Sequence, residues 1–268
     1  MRYFFQTMTA PTVTPSPIRA IVTGHSRGLG AALAEWLLER QIDVLGLGRS
    51  AHPTLAARER SPSVAQFTQA ALDLADPAAL ERWLASGALR QFAHGAQCVL
   101  LFNNAGTVEP IAPLGAQDAN AITRAVTLNV AAPLMLANAV ASEQASGHAQ
   151  DRRIVHISSG AARNAYAGWS IYCATKAALD HHARAVALDA PPAVRICSVA
   201  PGVVDTGMQA TIRATSADKF PQRERFEQLK ENGQLATPEQ AARQLIDYAL
   251  SDAFGATPTA DVRELAKS

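Results

Sequence analysis

The chain has 268 residues, with 24 basic and 23 acidic side chains, and is 48% hydrophobic and 18% charged. A net charge of +1 gives no long-range field to attract nucleic acid or an anionic membrane, so neither is expected as a partner and anion recognition must rest on a few local groups. Cys98, Cys173 and Cys197 are odd in number, widely spaced and flanked by apolar residues, which predicts reduced, packed thiols, a cytoplasmic location and no structural zinc. No uninterrupted apolar run approaches the ~20 residues of a membrane-spanning helix.

Residues 1–17 are rich in threonine and proline and lack both the apolar centre and the cleavage-like site of a secretory signal. They are expected to be a disordered leader, with Met8 as a start site alternative to Met1, ahead of one domain over 18–268. The apolar runs Ile18–Val22, Cys98–Phe102, Ile154–Ile157 and Val194–Val199 lack alternation and suit strands covered on both faces; a second strand is expected at about Ile42–Leu47. Helical patterns fall between and after them at Leu29–Arg40, Pro77–Ala85, Ala119–Ala141, Tyr172–Leu188 and Pro238–Leu250. Asp76 and Thr237 precede prolines at presumed first turns and read as N-caps. This strand–helix alternation predicts an α/β fold: a Rossmann-like, doubly wound parallel sheet with helices on both faces. The long departure is Pro201–Thr237, where Met208, Ile212, Phe220, Phe226 and Leu229 interleave with charges. It follows the carboxyl end of a strand, where open α/β sheets bind ligands, so the part over about 203–236 reads as a lid; its charged half reads equally as a solvated helical excursion.

Thr23-Gly24-His25-Ser26-Arg27-Gly28-Leu29-Gly30 joins the first strand to the first helix. Its glycines let backbone N–H groups approach a pyrophosphate at a helix N-terminus, although the spacing departs from G-x-G-x-x-G. A P-loop is excluded because no lysine follows the second glycine. The second strand ends in Gly48-Arg49-Ser50, where a dinucleotide fold reads the adenosine ribose. Arg49 stands where an acid would bond a free 2′-hydroxyl, and Arg27 is a second cation, so NADP(H) is expected over NAD(H). Asp43 lies at the wrong end of that strand to compensate.

Tyr172 and Lys176 are four residues apart and share one helix face. An ammonium beside a phenol favours the phenolate, so the lysine is expected to lower the tyrosine pKa. Ser159, at the end of the fifth strand, is placed to hydrogen-bond a substrate oxygen; Ser158 points to the other side of the strand.

With these residues in view, the chain from about Arg19 to Leu250 resembles the short-chain dehydrogenases/reductases. Thr23–Gly30 is similar to that family's TGxxxGxG loop, so Gly24, Ser26, Arg27, Gly28, Leu29 and Gly30 would hold the cofactor with Arg49. Asp73-Leu74 resembles the pair that contacts the adenine. Asn103-Asn104-Ala105-Gly106 resembles the NNAG turn, which places Asn103, Ala105 and Gly106 at the cofactor. Pro201-Gly202-Val203-Val204-Asp205-Thr206 resembles PGxVxT beside the nicotinamide, which places Pro201, Gly202, Val204 and Thr206 there. Asn129, Ser159, Tyr172 and Lys176 fall at the catalytic tetrad, with Tyr172 following Ser159 by 13 residues. The resemblance implies that Tyr172 donates a proton to the substrate oxygen, Lys176 also bonds the nicotinamide ribose, Ser159 orients the carbonyl and Asn129 supports a water chain.

A finer resemblance is to the sepiapterin reductase and benzil reductase branch, through Ser159–Ala161, Gly168-Trp169, Lys176–Leu179, Val203–Gln209, Phe226–Lys230 and Gly233–Leu235. It implies NADPH-dependent reduction of a ketone or 1,2-diketone, with Tyr166, Trp169 and Met208 bordering the substrate; for Trp169, packing is an equal alternative. Pterin specificity is not implied, because only Asp261 is available as a C-terminal acidic anchor, in a tail (Gly255–Ser268) expected to lack the family's final strand. A homodimer or homotetramer paired through the Ala119–Ala141 and Tyr172–Leu188 helices follows from the same resemblance. Reduction of 3-oxoacyl carriers, oxidation of secondary alcohols and non-catalytic NADP(H) sensing are the rival readings.

His181 and His182 are adjacent and splay about 100° apart on a helix, which disfavours metal ligation. His156 reads as a core residue. His25 reads either as a neighbour of the cofactor phosphates or as an exposed loop side chain. No metal is expected, and Ser170 lacks the second glycine of a hydrolase nucleophile elbow.

Overall fold

The computed structural model describes residues 18–55, 64–142 and 147–265, so the expected leader lies outside the described residues. Seven strands form one parallel sheet in the order β3-β2-β1-β4-β5-β6-β7. They are β1 (Ile18–Thr23), β2 (Asp43–Gly48), β3 (Phe67–Ala71), β4 (Cys98–Asn103), β5 (Asp151–Ile157), β6 (Val194–Ala200) and β7 (Thr259–Asp261). The helices are α1 (Gly28–Glu39), α2 (Pro77–Ala85), α3 (Ala88–Ala93), α4 (Ala119–Val126), α5 (Ala132–Ala141), α6 (Ser170–Asp189), α7 (Gly207–Ala214), α8 (Arg223–Glu231), α9 (Pro238–Leu250) and the short α10 (Val262–Leu265).

The unbroken apolar runs are central strands because both of their faces are covered. Successive side chains of a strand point to opposite faces. In β4, Leu100 and Phe102 join a core with α1 and α9, whereas Val99 and Leu101 join a second core with α2, α3 and α5. β1 pairs with β2 on one side and β4 on the other, so the loops leaving β1 and β4 diverge and open a crevice at the carboxyl ends. The two caps expected from sequence are made: Asp76 accepts from the Ala79 amide, and Thr237 forms a reciprocal capping box with Gln240.

Three expectations need correction. The tail does contribute a final strand: β7 pairs with β6 from Ser198 opposite Thr259 to Ala200 opposite Asp261. Only three residues long and mixed in polarity, it carries too little periodicity to be read from sequence. The Ala119–Ala141 helix is not uniform, since Thr127–Ala131 forms one wider, π-type turn between α4 and α5. It is also long and apolar enough by composition to meet a membrane-span criterion, contrary to the expectation for the chain. Here its apolar side packs on the sheet through Ala132, Leu136, Ala137 and Val140.

Candidate active site

The glycine loop turns tightly from β1 into α1, and its glycines are sterically required. Gly24 and Gly28 have φ of +69° and +55°. A Cβ on Gly30 would sit 2.1 Å from the Gly24 carbonyl oxygen, so the helix start and the loop touch backbone to backbone. The loop is tied to the turn after β4 by Thr23, whose Oγ1 accepts from the amides of Asn104 and Ala105, both at 2.9 Å. The Asn104 side chain in turn donates to the Thr23 carbonyl at 2.9 Å. Thr23 and Asn104 belong to separate motifs in the sequence, and their joint role arises only because β1 and β4 lie side by side.

Arg27 caps α1 in an extended conformation, and Arg49 follows β2; both are exposed at the same end of the sheet. Asp73 and Leu74 follow β3. Burial tends to raise the Asp73 pKa, but the Ala75 amide and Arg124 outweigh it and hold the carboxylate below its ordinary range. Thr206 approaches from the β6 side, its Cγ2 lying 3.2 Å from where a Gly28 Cβ would stand. Gly24, Gly28 and Gly30 thus leave open backbone at the N-terminus of the 12-residue α1 with Thr206 facing them, whereas the Asn103 side chain is turned inward, buried, and donates to the Pro133 carbonyl at 3.2 Å. His25 takes neither of its expected places. It is buried beneath the loop, where its ring fills space left by Gly46, and its Nε2 lies 3.0 Å from Gln69 Oε1.

On the β5 side, the reacting residues converge. Ser159 ends the strand in an extended conformation and accepts from the Ala161 amide at 3.1 Å. Tyr172 and Lys176 occupy the first turns of α6, both buried, and Lys176 donates to the Ile157 carbonyl at 2.8 Å. Asn129 lies in the π-type turn. Its Oδ1 accepts from the Thr107 amide, its Nδ2 donates to the Thr107 carbonyl, both at 2.8 Å, and it also donates to Thr175 Oγ1 at 3.1 Å. The wider turn aims Asn129 at the segment after the Asn103–Gly106 turn, and its Oδ1 lies 3.2 Å from a notional Gly106 Cβ. Ser158 points away as expected, donating to Asp180 Oδ1 at 2.6 Å.

The expected acidification of Tyr172 does not occur in this arrangement. Burial pushes its pKa up to about 12, with the nearby Ser159 hydroxyl opposing, while burial lowers Lys176 to about 8 against the pull of Asp180. The ammonium lies 5.7 Å from the phenol ring centroid, over the face, and its hydrogen bond goes to Ile157. Spacing put the two groups on one face, but desolvation of both outweighs their mutual effect.

Beside Tyr172 lies an aromatic wall. Trp169 immediately precedes α6 and stacks on Phe220 with centroids 4.4 Å apart; it meets Tyr166, Tyr172 and Phe226 at 5.3, 5.4 and 5.3 Å. Met208, Val108 and Ile212 complete the cluster. Phe220 and Phe226 were visible as apolar residues in a charged run, yet nothing local tied them to Trp169. The segment that carries them closes on itself, with Val204 bridging Ala236 and Asp205 held by Lys230 and, at 3.7 Å, by Arg213. The charged half is a helix, α8, with Glu224, Arg225, Lys230 and Glu231 exposed as the solvated-excursion reading expects, while Phe226 on its other side is buried in the aromatic cluster. Asp261 is engaged by Arg263, at 2.6 Å between Oδ2 and Nη2. Among the described residues, no group of three or more His, Cys, Asp or Glu side chains is arranged to hold a metal.

The short chain dehydrogenase family profile matches residues 19–217. A benzil reductase ((S)-benzoin forming) from Bacillus cereus is 35% identical over 87% of this chain and 94% of its own. A sepiapterin reductase from Meriones unguiculatus is 32% identical over 87% and 92%. The crystal structure of a short-chain dehydrogenase/reductase from Burkholderia vietnamiensis, 56% identical, covers 94% of this chain and all of its own with a TM-score of 0.67. The matched region runs from β1 through α7 and takes in the glycine loop and the Ser159–Tyr172–Lys176 cluster alike: this chain is an oxidoreductase of the short-chain dehydrogenase family, in the branch that holds the benzil and sepiapterin reductases.

Proposed function

We propose that the protein is an NADPH-dependent carbonyl reductase acting on ketones or vicinal diketones, with Tyr172 as proton donor and Ser159, Lys176 and Asn129 as its catalytic partners. The observation that carries this reading is the convergence of Ser159, Tyr172 and Lys176, with the Lys176 Nζ 3.8 Å from where a Gly106 Cβ would stand. A reduced nicotinamide, when bound, supplies the hydride. The loop from Gly24 through Ser26, Arg27, Gly28 and Leu29 to Gly30 would hold its pyrophosphate, with Arg27 and Arg49 meeting the 2′-phosphate. Asp73 and Leu74 would flank the adenine. Ala105 and Gly106 would line the crevice on one side, with Asn103 holding that turn from beneath through the Pro133 carbonyl, and Pro201, Gly202, Val204 and Thr206 would lie on the other.

The raised pKa of Tyr172 suits donation. At neutral pH the phenol keeps its proton, and an alkoxide forming beside it is more basic still, so the proton passes from the phenolic oxygen to the substrate oxygen. Ser159 donates to that oxygen and shares its charge. Lys176, protonated below about pH 8, faces the phenolate that remains and stabilises it, and Asn129 holds the Thr107 backbone on the route for proton return. Trp169, Tyr166 and Met208 form an apolar wall fitted to a planar, aryl-bearing ketone. Asp261, the acid expected as a pterin anchor, is instead engaged by Arg263. The protein would work as a cytoplasmic homodimer or homotetramer.

Oxidation of NADPH in the presence of benzil tests the reading directly. Turnover should fall by about 10²–10⁴-fold in Tyr172→Phe, the usual contribution of a general acid. Undiminished turnover in that variant, or tight NADPH binding with no turnover across a carbonyl panel, overturns it; the latter favours a sensor.

A further inference from the structure

Asp180 is a buried carboxylate that the reaction as described leaves without a task. It stands four residues after Lys176 and eight after Tyr172, so the three share one face of α6. It is 3% exposed. Its Oδ1 accepts from Ser158 Oγ at 2.6 Å, and its Oδ2 lies 3.5 Å from Arg163 Nε. Ser158 sits between Ile157, whose carbonyl holds the Lys176 ammonium, and Ser159, so one bond from α6 fixes the strand end that presents both. A buried carboxylate left without partners is costly, and this one is placed where its field acts on the lysine.

We propose that Asp180 is a positioning residue for the Tyr172–Lys176 pair: through Ser158 it clasps the end of β5 to α6, and its charge holds the buried Lys176 as an ammonium on the Ile157 carbonyl. This rests on the proton-donor reading only for its effect on turnover. Lys176 is faced by Tyr172 and Asp180 on its own helix and by His156 from β5, and the Asn129 turn lies beyond Gly106. Asp180 is faced by Ser158 from β5 and by Arg163 from the turn after Ser159, and it is felt by Cys197 in β6. Asp180 is the acidic member of the set.

The charge of Lys176 is read without cofactor by carbon-13 NMR of lysine-labelled protein, which has four lysines in all. Assignment of the Lys176 signal comes from K176M. In D180N the Lys176 midpoint should drop by about one pH unit, and D180E should return most of it. R163Q, which removes the cation facing Asp180, should move the midpoint up. The alkaline limb of kcat/KM should shift in the same directions. A midpoint unmoved in D180N, or unmoved or lowered in R163Q, overturns the proposal even if Tyr172→Phe is inactive. If D180N does not fold, R163Q decides alone. An active Tyr172→Phe sinks the proton-donor reading and leaves the NMR result standing.

Discussion

In the proposed reading, single side chains set cofactor specificity and proton chemistry by different physics. Arg27 and Arg49 are exposed, and on that reading discrimination depends on cations placed where a phosphate would lie. A charge-assisted hydrogen bond contributes about 1.5–3 kcal/mol. Arg49→Ala is therefore expected to raise KM for NADPH by about tenfold or more while changing KM for NADH by less than about twofold. Steady-state kinetics with both cofactors checks this, and equal effects on the two would remove Arg49 from phosphate recognition. At the reacting end the residues are buried, and burial governs them. Desolvation raises the Tyr172 pKa to about 12 and lowers that of Lys176 to about 8, so near neutral pH the phenol keeps its proton and the lysine remains an ammonium. Helical spacing revealed that the two meet; it could not reveal which influence dominates, because burial is a property of the surrounding fold.

At the scale of elements, the segment from Val203 to Ala236 is an excursion that packs back onto Trp169 and the start of α6, which carries Tyr172. Its aromatic side is anchored by Phe220, fully buried on the face of Trp169, and a close approach at Gly168 leaves no room for a side chain against the Lys219 carbonyl. Removing a buried aromatic ring costs about 3–5 kcal/mol, and the loss should fall on this excursion before the sheet. Phe220→Ala is thus expected to speed amide hydrogen exchange in α7 and α8, with exchange in β4 and β5 unchanged, and to raise KM for the carbonyl substrate more than it lowers kcat. Uniform loss of protection across the sheet would show that the excursion is part of the global core rather than a separately opening lid. The wider turn at Thr127–Ala131 is a second device at this scale: inside an otherwise regular helical run, it turns Asn129 toward Thr107.

The whole molecule carries an acid sensitivity built into its core. His156 lies fully buried between the sheet and α6, 3.1 Å from Asn103 Nδ2 and 3.1 Å from His182 Nδ1. Burial, with help from His182 and Lys176, lowers its pKa from 6.5 to about 3. The unfolded chain therefore binds a proton that the folded one refuses, and stability present above about pH 6.5 is lost as pH falls toward 3, by at most about 1.4 kcal/mol per pH unit for this one site. Urea midpoints at pH 7 and pH 5 should differ less in His156→Gln than in the native chain; an equal difference would place the acid sensitivity elsewhere. The same central position explains what could be read beforehand. Apolar runs, caps and glycine spacing are local, and they sufficed for the parallel sheet and the tight turn from β1 into α1, while the four-residue spacing put Tyr172 and Lys176 on one face of α6. The three-residue β7, the burial of His25 under the loop, the stack of Phe220 on Trp169 and the clasp of Ser158 by Asp180 join residues 22 to 61 positions apart, or depend on a strand too short to show a period. The tertiary structure alone decided these, because chain-distant contact and exclusion of water, which also set the protonation of Tyr172 and Lys176, exist only once the layers have closed.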